Sequence, residues 1–209
     1  MANKDLRNWI DEIENSGELH KISGAEPKED IGGIVDIVQR KMGNPALIFD
    51  DIPGFPKGHR VLANLLTSTP RINLALGLPV NASEMELVQW WRKYMSDAPS
   101  IPPKQVNGGP LLDNVLEGGK VDLTSIPTPV WHEHDGGHFI GTACMVVMKD
   151  PDNDWINYGT YRMQVHEKNV ASVMMSPGKH GRLIMEKYHS RGEPCPVAAV
   201  FGMHPALFM

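Results

Sequence analysis

HFIGTACMVVMKDPDNDWINYGTYRMQV, residues 138–165, is the stretch whose reading decides the fold. Its first part, His138–Met148, is apolar on both alternating faces, as a strand buried on both sides would be. Its last part, Trp155–Val165, mixes aromatic and polar residues and reads as a second strand. Between them, Asp150-Pro151-Asp152-Asn153-Asp154 is made of turn formers, so the pair predicts a hairpin. Downstream, Ala171–Met175 reads as a third strand, Gly181–Ser190 as a helix and Val197–Phe201 as a further strand. The second half of the chain is therefore predicted to be β-rich.

Upstream the periodicity changes. Leu6, Trp9, Ile10 and Ile13 recur at helical spacing, with Gly17 placed to end that helix. Glu18–Ile22 reads as a short strand. Residues 29–42 repeat the helical pattern through Ile31, Ile34, Val35, Val38 and Met42, and Gly43 closes it. Ala46–Phe49 is a short buried strand before the turn Asp51-Ile52-Pro53-Gly54, and Arg60–Leu65 is another strand. Pro70–Leu76 and Ser83–Met95 read as helices, the second opened by a Ser83/Glu86 capping box. Residues 96–130 are punctuated by Pro102, Pro103, Gly108, Gly109, Pro110, Gly118, Gly119, Pro127 and Pro129, the composition of a connector. The expected class is α+β: an α/β unit over 1–100, a connector over 101–130 and a β-rich unit over 131–209.

Composition narrows the function. The 209 residues are 41% hydrophobic and 22% charged, with a formal net charge of -5. That is ordinary for a globular protein, and the absence of a basic block argues against a nucleic-acid footprint. No apolar run approaches the length of a membrane span. The amphipathic start MANKDLRNWIDEIENSG lacks the apolar core of a signal peptide. Cys144 and Cys195 stand far apart in apolar contexts and are expected as buried, reduced thiols. These features together predict a cytoplasmic protein. The apolar ending, PVAAVFGMHPALFM, is unusual for a terminus and predicts either a truncated chain or a segment completed by another chain.

Three clusters could carry chemistry. Trp131-His132-Glu133-His134-Asp135-Gly136-Gly137-His138 concentrates histidines and carboxylates. No His-x3-His pair on a helix supports chelation, so a polar turn is favoured over a metal site. In Asn157-Tyr158-Gly159-Thr160-Tyr161-Arg162, the arginine could fork onto a carboxylate or phosphate. Asn157 and Arg162 would face opposite ways on an ideal strand, so a shared site requires a bend that Gly159 could supply. Spacing alone favours an ordinary strand with a surface arginine. Ser176-Pro177-Gly178-Lys179-His180-Gly181 is a glycine-rich turn before a helix. It is either an anion-binding corner or a simple cap. It matches neither the P-loop nor the GxGxxG pattern.

The order of the segments is more specific than any one of them. PTP at 127–129, HDGGHFIG at 134–141, WINYGTYRMQV at 155–165, PGKHGR at 177–182 and PVAAVFGMHPA at 196–206 resemble the UbiD-type decarboxylase family. FDDIPGF at 49–55 fits the α/β prefix of that family. The resemblance implies that 131–209 begins a split β-barrel domain that binds prenylated FMN. It also implies reversible decarboxylation of an aromatic or α,β-unsaturated acid through a covalent substrate adduct of that flavin, which acts as the electron sink. The flavin phosphate would be held through Mn2+ (or Mg2+) with K+ nearby. By the same resemblance Asn157 and His180 are the metal ligands, Tyr158, Gly159, Thr160 and Tyr161 lie along the cofactor, and Lys179 contacts it. Arg162 pairs with the substrate carboxylate and contacts the flavin.

The family's third metal ligand and its catalytic glutamate would fall beyond residue 209. Glu167, Glu186 and Glu193 do not match them. The expectation is a piece of a longer enzyme, inactive by itself. The alternative is a non-catalytic flavin-binding fragment or a subunit of a multi-subunit (de)carboxylase. Expected partners are a small carboxylic acid substrate, a flavin prenyltransferase that supplies the cofactor, and further copies of the full-length chain.

Overall fold

The computed structural model describes residues 5–99 and 101–209. Helix α1 (Leu6–Asn15) starts where Asp5 caps the Arg7 and Asn8 amides and buries Trp9, Ile10 and Ile13. Gly17, just beyond its end, takes φ 75°, a left-handed conformation that suits glycine. Strand β1 (Leu19–Ser23), helix α2 (Ile31–Gln39) and strand β2 (Ala46–Asp50) follow, and β1 pairs with β2 in parallel. Helix α2 is shorter than the 29–42 expected. Met42, the last apolar residue of that pattern, is fully solvent-exposed and offers no packing to extend the helix. Strand β3 (Val61–Ala63) adds antiparallel to β2 and is shorter than expected, the backbone turning left-handed at Asn64.

Strand β2 carries the packing of this unit. Ala46 and Ile48 face a core with Trp9, Ile10, Ile13 and Ala75, while Leu47 and Phe49 face a second core with Ile31, Ile52, Val61 and Ala63. Covering both faces is what a continuous apolar strand requires. Helices α3 (Thr69–Leu76) and α4 (Glu84–Asp97) complete the unit. The Ser83/Glu86 capping box forms as expected. The connector contains short 3-10 turns at 110–112, 118–120 and 123–125.

The β-rich half corrects the two long strands expected at 138–148 and 155–165. Each is broken at the same level. Strands β4 (His138–Gly141) and β5 (Met145–Lys149) replace the first, and β6 (Ile156–Gly159) and β7 (Met163–Glu167) replace the second. The β5–β6 hairpin is antiparallel, as the turn formers predicted. Beyond the break the pairing passes to β4–β7, in a different sheet. Side chains drawn inward cause the break. Cys144 is fully buried and its Sγ reaches the carbonyls of Gly141 and Tyr161, and Tyr161 is buried opposite it. The hairpin therefore turns a corner between sheets. With β8 (Val170–Val173) and β9 (Ala198–Val200), the two sheets run β4-β7-β8 and β6-β5-β9. Helix α5 (His180–Ser190) packs on the corner. There Cys144, Val146, Met148, Tyr161, Met175 and Ile184 form a third core. Among the described residues the sheets do not close into a barrel.

Both cysteines are free. Cys144 is buried, which pushes its thiol pKa up, whereas Cys195 is only half-buried rather than buried as expected. No helix among the described residues is long and apolar enough to cross a membrane.

Candidate active site

Residues at odd positions on and just before β6 point toward α5. The Trp155 ring stands edge-on to His180, centroids 5.0 Å apart. Asn157 is buried, and Gly159 meets the ring of Tyr161. Helix α5 begins with Lys179 as its cap residue, and a lysine has no acceptor to offer the orphan amides of a helix start. The Tyr161 hydroxyl takes that role from another element, accepting the Gly181 amide at 3.0 Å. The Asn157 side-chain amide also donates to it, at 3.5 Å. Two glycines make room for this ring. A Cβ at Gly159 would lie 2.4 Å from Tyr161 Cε2, and one at Gly181 would lie 2.9 Å from its hydroxyl.

Arg162 sits in the break between β6 and β7. Its guanidinium lies 3.9 Å from the centroid of the Phe139 ring and 3.6 Å from Asp135 Oδ2. Asp135 also accepts the His132 amide at 3.1 Å. The arginine separates two pockets. One, of about 290 Å³, is lined by Gly32, Val35, Asp36, Gln39, Trp131, His132 and Thr142. The other, of about 280 Å³, is lined by Gly159, Thr160, Tyr161, Met174, Ser176 and Lys179. The second pocket joins two sequence clusters that are separate in the chain. It sets two cations and three hydroxyls at the positive end of α5, an arrangement suited to an anion.

Gly159, Thr160, Tyr161, Arg162 and Lys179 are thus brought together, with Asn157 and His180 adjoining through Tyr161 and Trp155. Tyr158 is the exception. Its ring lies on the opposite face of β6 and is 60% exposed. The bend required for Asn157 and Arg162 to share a site is present, immediately after Gly159. Asn157 Oδ1 has no hydrogen-bond partner among the described residues, so it is available as a ligand. An amide oxygen and an imidazole suit Mn2+ or Mg2+ better than a thiol-seeking metal. Among the described residues no group of three His, Cys, Asp or Glu could hold a metal. Any metal here would need further oxygen ligands, which a phosphate supplies.

The histidine-rich turn braces the site. His138 Nδ1 lies 2.7 Å from the Thr128 carbonyl, and His132 Nδ1 lies 3.5 Å from Asp135. Asp135, Phe139 and Trp155 are the neighbours that sequence reasoning did not assign. All three lie inside the quoted motifs, but no spacing rule connects residue 135 or 139 with residue 162.

The family described as 3-octaprenyl-4-hydroxybenzoate carboxy-lyase matches twice, its N-terminal domain over residues 10–91 and its Rift-related domain over 104–209. The pyrrole-2-carboxylic acid decarboxylase of Pseudomonas aeruginosa is 30% identical, covering 97% of this chain and 42% of its own. The vanillic acid decarboxylase of Sedimentibacter hydroxybenzoicus, in closed form, superposes with a TM-score of 0.90 at 27% identity, over 98% of this chain and 44% of that one. An evolved dimeric form of the UbiD-class enzyme HmfF from Pelotomaculum thermopropionicum, in complex with prFMN, shares the fold. Its TM-score is 0.84 at 23% identity, over 97% of this chain and 45% of that one. The chain spans less than half the length of these relatives.

Proposed function

The chain belongs to the UbiD carboxy-lyase family, and from that premise we propose that its β-rich half binds prenylated FMN and a divalent metal for the reversible, non-oxidative decarboxylation of an aromatic or α,β-unsaturated carboxylic acid. The observation that carries this reading is the pocket at the start of α5, where Thr160, Arg162, Ser176 and Lys179 converge. The acids decarboxylated by the pyrrole-2-carboxylic and vanillic acid enzymes support the substrate class. In this reading residues 1–100 are an α/β subdomain and 101–130 a connector. Residues 131–209 contribute to a split β-barrel, whose corner is the break at 142–144 and 160–162. The two family matches, over 10–91 and 104–209, agree with a boundary near residue 100, and the second takes in residues 104–130 together with the β-rich unit.

Each residue has a physical task. Asn157 Oδ1 and the His180 imidazole hold Mn2+ (or Mg2+), with K+ close by. Lys179 and the amides at the start of α5 meet the cofactor phosphate. The backbone of 158–161, with the Thr160 hydroxyl, lies along the cofactor, and Gly159 permits close approach. Arg162 holds the substrate carboxylate. Phe139 beneath it and Asp135 beside it limit its rotamers, so little ordering remains at binding. When bound, prenylated FMN supplies the electron sink for the pair left as CO2 departs. Proton return needs a carboxylic acid with a raised pKa, which the family provides outside these residues. The reading takes the protein to be cytoplasmic, to receive its cofactor from a flavin prenyltransferase and to assemble with further copies of itself.

The test is co-expression of the full-length protein with a flavin prenyltransferase, followed by a UV-visible spectrum, metal analysis and turnover. Arg162→Ala should abolish turnover while flavin is retained at least in part. His180→Ala should lower Mn content. Normal turnover in the first variant, or unchanged Mn in the second, would remove that residue from the site. The second reading, a non-catalytic flavin-binding piece or a subunit of a multi-chain (de)carboxylase, predicts flavin binding without turnover until another chain is added.

A further inference from the structure

We propose that Trp131 and Gly32 are positioning residues for Arg162, so that the N-terminal α/β unit sets the geometry of the anion site in the β-rich unit. Trp131 reaches both supports of the arginine. Its indole Nε1 donates to the Phe139 carbonyl at 3.2 Å, and the Phe139 ring lies beneath the guanidinium. Its backbone leads directly into the turn closed by the Asp135 amide on the His132 carbonyl, which places the Asp135 carboxylate beside Arg162. The Trp131 ring itself packs into the second core of the N-terminal unit.

Gly32 holds the other side of this contact. It is the second residue of α2, in the first helical turn. A Cβ there would lie 2.3 Å from the Trp131 carbonyl oxygen and 2.8 Å from that of Val130. Both obstacles are backbone, so no rotamer change relieves them. The Val130 amide donates to the Pro27 carbonyl at 3.2 Å, which fixes the approach. Gly33, its neighbour in the same helix, has nothing within 4 Å of a Cβ and is an internal control.

The proposal rests on the reading of Arg162 as a carboxylate anchor. Its test separates the two by following the side-chain Nε–H resonance of Arg162, assigned by its loss in Arg162→Lys and displaced by the ring current of Phe139. Thermal midpoint and titration with benzoate as probe are measured alongside. Gly33→Ala should leave the resonance and benzoate binding unchanged. Gly32→Ala and Trp131→Phe should move the resonance toward its position in Phe139→Leu and weaken benzoate roughly three- to tenfold, the loss of about one well-placed hydrogen bond. If Gly32→Ala fails to fold, Trp131→Phe, which keeps an aromatic ring in the core, carries the test. An Arg162 resonance unmoved in Trp131→Phe overturns the proposal, even if the thermal midpoint falls. Undiminished benzoate binding in Arg162→Lys instead refutes the anchor reading, and the resonance still decides the positioning.

Discussion

Tyr161→Phe is the sharpest perturbation the fold offers, because it removes one oxygen and leaves the ring that fills the third core. The lost hydroxyl accepts the Gly181 amide at 3.0 Å and lies 3.5 Å from the Asn157 amide. Gly181 is buried, and Lys179 cannot cap it. Leaving a buried amide unpaired costs about 1–3 kcal/mol, and the longer contact to Asn157 adds little. For a domain of this size each kcal/mol moves Tm by about 2–4 °C, so a fall of roughly 2–12 °C is expected. No cavity opens, so the far-UV spectrum and the near-UV bands of the other aromatics should persist. Metal binding supplies the second reading. With Asn157 and the first turn of α5 no longer tied to one atom, Mn2+ titrated into the cofactor-loaded full-length protein should bind more weakly. A Tm within about 1 °C of the parent would refute the reasoning, because it would mean that the Tyr161 oxygen is not what satisfies the start of α5.

Gly159→Ala should cost about 1–3 kcal/mol by overpacking against the Tyr161 ring, and Gly159→Ala combined with Tyr161→Leu should recover part of that loss in a denaturant titration. Arg71 is fully buried, bonded to Glu18 at 2.7 Å, to the Asn44 carbonyl at 2.8 Å and to Thr67 at 2.6 Å; burial holds its pKa below that of an ordinary arginine. Arg71→Ala should therefore destabilise the N-terminal unit by about 3–5 kcal/mol, measured by urea unfolding. Lys187 lies 2.7 Å from Asp150 and 3.1 Å from Asp152, and its hydrogen bonds hold both carboxyl pKa values below the ordinary 3.8, with Arg191 adding to the effect on Asp152. The folded carboxyls bind protons less tightly than the unfolded ones. Their contribution is complete above the unfolded value of 3.8 and is lost as pH falls through the lower folded values. Tm followed into acid should show this loss, and Asp150→Asn should flatten it.

The two halves of the chain meet at Arg162. The resemblance places every proposed ligand in residues 157–180, yet one wall of the pocket beside Arg162 is made by Gly32, Val35, Asp36 and Gln39 of α2. The N-terminal unit thus lines the pocket on the other side of Arg162 from the anion pocket. Substitutions on that face of α2 should change affinity for a carboxylate ligand before they change the fold of the β-rich half.

Local pattern determined much of this protein by itself. The helical spacing of Leu6 to Ile13, the Ser83/Glu86 box and the turn formers at 150–154 each depend on neighbours within a few residues, so they were legible in the sequence. The family resemblance was legible too, from the order of motifs between Pro127 and Ala206. What only the tertiary structure decided was the corner. Residues 142–144 and 160–162 look like strand, since nothing local marks Cys144 and Tyr161 as turning inward. They do so because a third core, closed by Ile184 and Met175 from distant elements, receives them. The partners of Arg162 were hidden for the same reason. Phe139 reaches it across the β4–β7 pairing and Asp135 from the turn that leads into β4, and a pairing between distant strands is set by burial rather than by spacing along the chain.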